Sequence, residues 1–254
     1  MATLASMPPI EIDEQELAQF GEVWLRNGQN LKRTPPYSSG QLGQVFDLAV
    51  AKALARMLGG IPVVTPSSHA LIPAQADCVE AGPVRMIGGV RQQNFDVGYR
   101  PDGVRFVFDS KTLNDKKSIG KNFKNMVNDL ASEATNVHSR FPHALVTFIF
   151  ICPSPCLTRV RQREIIETLE RLARRTGVDG PVYMAEAISL VVWNPNDGTI
   201  SSDVPNPSSL IRIERFSEQV EKKYGIRYKG LPPHAEDRTT DSDDEATTDD
   251  LDKG

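Results

Sequence analysis

The chain reads as an α/β protein with a central mixed β-sheet and helices on both faces, and three observations predict this. Two helical periodicities near the N-terminus precede a pair of short strands flanking Pro101-Asp102-Gly103. Helix-like and strand-like segments then alternate to residue 224, the pattern of a sheet covered on both sides. Among them, Ala144 to Cys152 is almost continuously apolar, with β-branched and aromatic residues, which marks a central strand buried on both faces.

In chain order, Asp13 to Asn27 places Leu17, Phe20, Val23 and Trp24 at helical spacing, and Gly28 stops the helix. A loop rich in Pro and Ser, Thr34 to Gly40, follows. Gln41 to Leu58 puts Leu42, Val45, Phe46, Ala49, Ala53, Leu54 and Met57 on one broad face before Gly59-Gly60 ends it. The Pro- and Gly-rich stretch 61–93 reads as irregular, with one short strand at Ile61 to Val64. Asn94 to Tyr99 and Val104 to Lys111 read as the strands of a hairpin, since Pro fixes φ and Gly accepts positive φ at the turn. After the polar loop Thr112 to Lys117, Ser118 is placed to cap a long helix whose buried stripe is Ile119, Phe123, Met126, Val127, Leu130, Ala134 and Val137. Pro142 breaks that pattern. Arg159 to Thr176 is a further helix, Val182 to Trp193 a strand and Glu214 to Tyr224 a last helix.

The 254 residues fit a single domain, 1–233 with its core at about 41–195, and an acidic tail, 234–254. With 39% apolar and 24% charged residues, a sizeable core is possible. Met1 to Gln15 has neither a basic start nor an apolar block, and the longest apolar run is too short to span a membrane, so a soluble cytoplasmic protein is expected. Three cysteines give no disulfide framework. Cys152 and Cys156 lack the partners of a zinc tetrahedron and read as structural thiols.

The net charge of −4 argues at first against a nucleic-acid partner. Its distribution reverses that impression. The tail holds nine Asp and Glu against Arg238 and Lys253, so the chain's 33 acidic and 29 basic residues become 24 and 27 without it, a body of about +3. With Leu251 as its one large apolar residue, the tail is expected to be disordered, a solubilising segment with DNA mimicry or regulation as the alternative.

An acidic residue two places before a lysine is a weak signal, and three such triplets occur. Asp115-Lys116-Lys117 and Glu221-Lys222-Lys223 fall in a polar loop and at an exposed helix end. Asp109-Ser110-Lys111 instead ends the apolar strand Val104-Arg105-Phe106-Val107-Phe108, so Asp109 and Lys111 share one face while Phe106, Phe108 and Ser110 share the other. If Asp102-Gly103 forms a two-residue turn, Asp96 lies opposite Asp109 and Asn94 opposite Lys111; a type I turn with a Gly bulge would shift the register by one. Opposed carboxylates repel unless a cation lies between them, and hard oxygen ligands suit magnesium or manganese. The alternative is a structural ion pair from Lys111 to Asp109 or Asp96.

Asp96, a spacer of twelve residues, then Asp109-Ser110-Lys111 resembles the signature of the PD-(D/E)XK nucleases, which include many type II restriction endonucleases. The likeness covers roughly residues 41 to 152, with a helix before the hairpin and a long helix and buried strand after it. Phe95 stands where the motif's name has proline. The resemblance implies a restriction-endonuclease-like core, Asp96 and Asp109 as ligands of magnesium (manganese as the substitute), and Lys111 as the catalytic lysine. Asp47 occupies the region where many relatives carry a further acid; it reads equally as a solvated carboxylate.

Lys116, Lys117, Lys121 and Lys124, with Asn122, Asn125 and Asn128, follow the triplet and could meet DNA phosphates or form an ordinary polar helix face. The arginines of the Arg159 to Thr176 helix are interleaved with Glu164, Glu167 and Glu170 and read as solvated surface. Gln92, Gln93 and Asn94 either read base edges or begin a strand. The four histidines are scattered, and no GxSxG elbow or phosphate-binding glycine loop occurs. The expectation is therefore a magnesium-dependent endonuclease cutting double-stranded DNA, of type II restriction kind, acting as a homodimer beside an accompanying DNA methyltransferase. A stand-alone phage-defence nuclease of low sequence specificity, and a catalytically silent DNA-binding or interaction protein of the same fold, are the alternatives.

Overall fold

The computed structural model describes residues 4–233; the expected acidic tail lies outside the described residues. Six strands form one mixed sheet, in the order β1 (Val63–Val64), β2 (Val79–Ile87), β3 (Gln92–Tyr99), β4 (Phe106–Thr112), β5 (Leu145–Pro153) and β6 (Ala187–Trp193). β1 runs parallel to β2, the meander β2-β3-β4 is antiparallel, and β4, β5 and β6 are parallel. The expected α/β fold with helices on both faces is present. No helix among the described residues is long and apolar enough to cross a membrane.

The two faces are separable by alternation. Asp109 and Lys111 of β4 pair with Phe148 and Phe150 of β5, so all four side chains share a face. There Phe150 meets Phe123 of α3 (Ile119–His138), ring centroids 6.3 Å apart. On the other face Phe108 packs edge-on against Phe216 of α5 (Phe216–Tyr228). Helix α2 (Ser39–Met57) also covers this second face. A Cβ at its Gly43 would lie 2.7 Å from the Ser110 hydroxyl, so the helix can approach this closely only with glycine there. Helix α1 (Glu14–Arg26) extends this layer, and its Trp24 indole donates to the Asn114 carbonyl at 2.5 Å. Helix α4 (Arg159–Leu172) connects β5 to β6. Each of the seven fully shielded phenylalanines from Phe46 to Phe216 stabilises the fold by about 1.5–3 kcal/mol through its burial.

Several boundaries differ from expectation. The stretch 61–93 is not irregular: it contains β2, a nine-residue strand with a bulge between Ala81 and Val84. Gly82 sits in that bulge at φ 126°, so the Gly-Pro pair that reads as a breaker is a kink within the strand. β3 starts at Gln92, so Gln92 and Gln93 belong to the strand. Gln93 accepts from Asn136 Nδ2 at 2.9 Å, and Gln92 is bonded to Arg85, which gives both structural partners. The strand expected from Val182 begins only at Ala187, the fourth helix ends at Leu172, and the last helix runs to Tyr228 after a 3-10 turn, Ile213–Arg215. Ser118 does not cap α3 with its side chain; its hydroxyl is engaged by Asp115 and by Asn122 Nδ2. Cys78, Cys152 and Cys156 are buried free thiols, as expected.

Candidate active site

The β3-β4 pairing has the register that a two-residue turn implies: Val97 faces Phe108, Gly98 faces Val107 and Tyr99 faces Phe106. The turn itself is looser. The strands stop at Tyr99 and resume at Phe106, with Arg105 N donating to Tyr99 O at 3.0 Å and the Arg105 guanidinium clamping Asp102. The paired ladder ends at Val97 and Phe108, while β3 continues back to Gln92 along β2 and β4 continues to Thr112 along β5. Asp96 and Asp109 are the next opposed positions, so they face one another where the two strands cease to pair. Continuing the register places them on one face.

Asp96 Oδ2 accepts from Ser110 N at 3.0 Å and from Ser110 Oγ at 3.2 Å, which ties it to β4 beyond the ladder's end. Lys111 Nζ pairs with Asp109 Oδ2, and also with Glu133 Oε1 of α3 at 3.0 Å. The three side chains are only 15%, 11% and 12% exposed for Asp109, Lys111 and Glu133. Lys111 also lies above the Phe148 ring, 5.8 Å from its centroid. From the opposite layer Asp47 of α2 reaches the same fork through the Ser110 hydroxyl. Its Oδ1 and the Oε2 of Glu133 are buried without a hydrogen-bond partner.

Two acids therefore hold the Lys111 ammonium while Asp96 and Asp47 meet at Ser110 beside it, and the proton affinities follow. Burial pushes Asp109 well above the usual carboxylate range, and its hydrogen bond with Asp96 pushes it further; Lys111 opposes this. Burial raises Asp47 to about 8, the Asp96 charge adds to the effect, and the Ser110 hydroxyl partly offsets it. Glu133 is also raised by burial, against the pull of Lys111. Burial alone would lower Lys111, but Asp109 and Glu133 reverse that and hold it firmly protonated.

Oxygen donors of this kind are those that a hard divalent cation takes. Buried carboxylates with too little positive charge around them, and oxygens lacking any hydrogen-bond partner, are what a cation would satisfy. Among the described residues no group of three or more His, Cys, Asp or Glu is arranged to hold a metal ion. Two carboxylates suffice for magnesium, which keeps several waters and takes one or two protein ligands.

Asp96, Asp109 and Lys111 lie together at the fork. Asp47 is half-buried rather than solvated, with its Oδ1 shielded from water. Glu133 was missed, although it lies seven residues after Met126, beside the buried stripe, where a charge is conspicuous. The lysines are not brought to the fork. At about 100° per residue, Lys121 and Lys124 point roughly 120–180° around α3 from Glu133 and lie about 14–18 Å from it along the axis, and Lys117 precedes the helix. Lys117, Lys121, Lys124 and Asn125 instead line an open concavity of about 530 Å³ with Arg161 of α4. Lys116 is exposed, its backbone N–H donating to Gln29 O. Asn122, half-buried, faces the Glu133 side of the helix and is occupied by Ser118.

No protein-family model, no curated protein and no solved structure matches this chain.

Proposed function

We propose that this protein is a magnesium-dependent endonuclease that hydrolyses phosphodiester bonds of double-stranded DNA. The observation that carries the reading is the convergence of Asp96, Asp109 and Lys111 at the fork between β3 and β4. Asp96 and Asp109 would hold the magnesium ion, with manganese as the substitute. Bound there, the ion supplies Lewis acidity toward phosphoryl oxygens and lowers the pKa of water. Lys111, kept protonated by two carboxylates, sets a positive charge beside the phosphate and orients the attacking water. Asp47, raised to about 8, carries a proton at neutral pH and lowers the acidic charge a phosphate must approach.

Within that reading the protein acts as a type II restriction enzyme, a homodimer in the cytoplasm with an accompanying DNA methyltransferase. Two sites reach two strands, and protein symmetry mirrors a palindrome. The open concavity of Lys117, Lys121, Lys124 and Arg161 supports a polyanionic substrate whose contacts extend beyond the cleavage point.

The test is incubation of supercoiled plasmid with the full chain and magnesium, beside Lys111→Ala. Discrete fragments indicate a sequence-specific enzyme, and a smear indicates a defence nuclease of low specificity. Plasmid left intact by the wild type, or cut equally by Lys111→Ala, overturns the reading.

A further inference from the structure

Lys111 has two acidic partners where one would neutralise it, and only one of them belongs to the pair proposed above as the metal ligands. Asp109 comes from its own strand, two residues away. Glu133 comes from α3 across the sheet face, 3.0 Å from the ammonium, with its other oxygen buried and without a partner. A divalent cation and the Lys111 ammonium would compete for Asp109, because like charges sharing one carboxylate repel each other strongly in a buried site. Without a second anchor Lys111 would then be expelled or would keep the cation out.

We infer that Glu133 is a positioning residue that receives Lys111 when a divalent cation takes Asp109. The inference rests on the reading of Asp96 and Asp109 as the metal-holding pair. In it Lys111 shifts its pairing from Asp109 and Glu133 together to Glu133 alone, and stays at the fork as a free donor toward a phosphate. The partnerless Glu133 oxygen gives the carboxylate a second position from which to hold the ammonium. Aromatic contact with Phe148 limits how far the lysine stem can travel.

The test is a double-mutant cycle on magnesium affinity, measured by titration calorimetry on the full chain without DNA. The four proteins are wild type, Glu133→Gln, Lys111→Met and the double variant. If Glu133 acts through Lys111, Glu133→Gln weakens magnesium binding about tenfold when Lys111 is present and less than about twofold when it is methionine. Equal weakening in both backgrounds makes Glu133 a direct contributor to the ion's field and overturns the inference, as does no weakening in either. A wild type that binds no magnesium overturns the metal reading itself, and this inference with it. The wild type alone supplies a second measurement should a variant misfold: the Lys111 Nζ resonance shifts on magnesium addition and keeps its slowly exchanging protons. Loss of those protons to solvent overturns the inference.

Discussion

Glu186 and Asp109 are both acids under one sheet and both shielded from water, yet their neighbours drive them in opposite directions. Glu186, just before β6, takes His138 Nε2 at 3.1 Å, Arg227 Nη2 at 3.0 Å, Arg175 Nε at 2.9 Å and the Val146 N–H at 2.8 Å. Burial pushes its carboxyl up, but His138, Arg227 and the Val146 amide outweigh burial and hold it below the usual range. Asp109 has one cation, which it shares with Glu133, and an acid opposite; burial prevails and it rises. The first cluster is closed, with positive partners supplied by α3, α5 and the segment after α4. The second lacks positive charge, as a site built for a cation or a phosphate would. Buried ion pairs as such do not indicate function; an uncompensated surplus of one sign does.

The sharpest way to break this comparison is Asp109→Asn. Cleavage should fall by about 10³-fold or more, since the metal-holding pair is halved, while stability holds or rises because a repulsion is removed. Plasmid cleavage and urea unfolding measured together decide it, and activity within tenfold of wild type refutes the assignment.

Glu186→Gln should behave oppositely. Arg175 and Arg227 would be left buried with a neutral partner, at a cost of about 3–5 kcal/mol in urea unfolding at pH 7, with little direct effect on catalysis. The pH dependence follows from the lowered carboxyl. Its contribution is complete above the ordinary value of 4.5 and is lost as pH falls through the folded value, so the deficit of the variant should shrink in acid. A deficit that grows toward low pH contradicts the assignment.

Asp47→Asn tests the second cluster from its other side. The raised carboxyl means the folded state holds a proton that the unfolded chain releases, so the wild type loses stability between its ordinary 3.8 and about 8. The variant should be more stable by a few kcal/mol at pH 8, with the advantage fading toward pH 4. A thermal melt series across that range shows whether the sign is right.

The smallest effect concerns the lysines turned away from the fork. Replacing Lys117, Lys121 and Lys124 together by alanine should flatten the salt dependence of DNA binding by a slope of about 2–3 while changing low-salt cleavage by less than about tenfold. An unchanged slope marks the patch as ordinary solvated surface.

Much of the candidate site was legible in the chain. The alternation of Phe106, Phe108 and Ser110 against Asp109 and Lys111 is a local property of any strand, and one of the two registers open at Pro101-Asp102-Gly103, the one found, sets Asp96 against Asp109. β2 was not legible, because its Gly82-Pro83 pair is the ordinary signature of a loop and becomes a bulge only with β3 alongside. Glu133 and the burial of Asp47 were also hidden, since each depends on how a helix is rotated on the sheet.

By itself, then, the sequence determined the layered α/β fold, the central strand and the side-chain alternation that brings Asp109 and Lys111 together. These follow from periodicities of two and 3.6 residues, which are written in short windows. Only the tertiary structure decided that β3 and β4 part just beyond Val97, that four acids from four elements gather there about Ser110 and Lys111, and that the lysines of α3 face α4 instead. Such convergence depends on packing between elements far apart in the chain, where single rotations of a helix choose which charge is buried and which meets water.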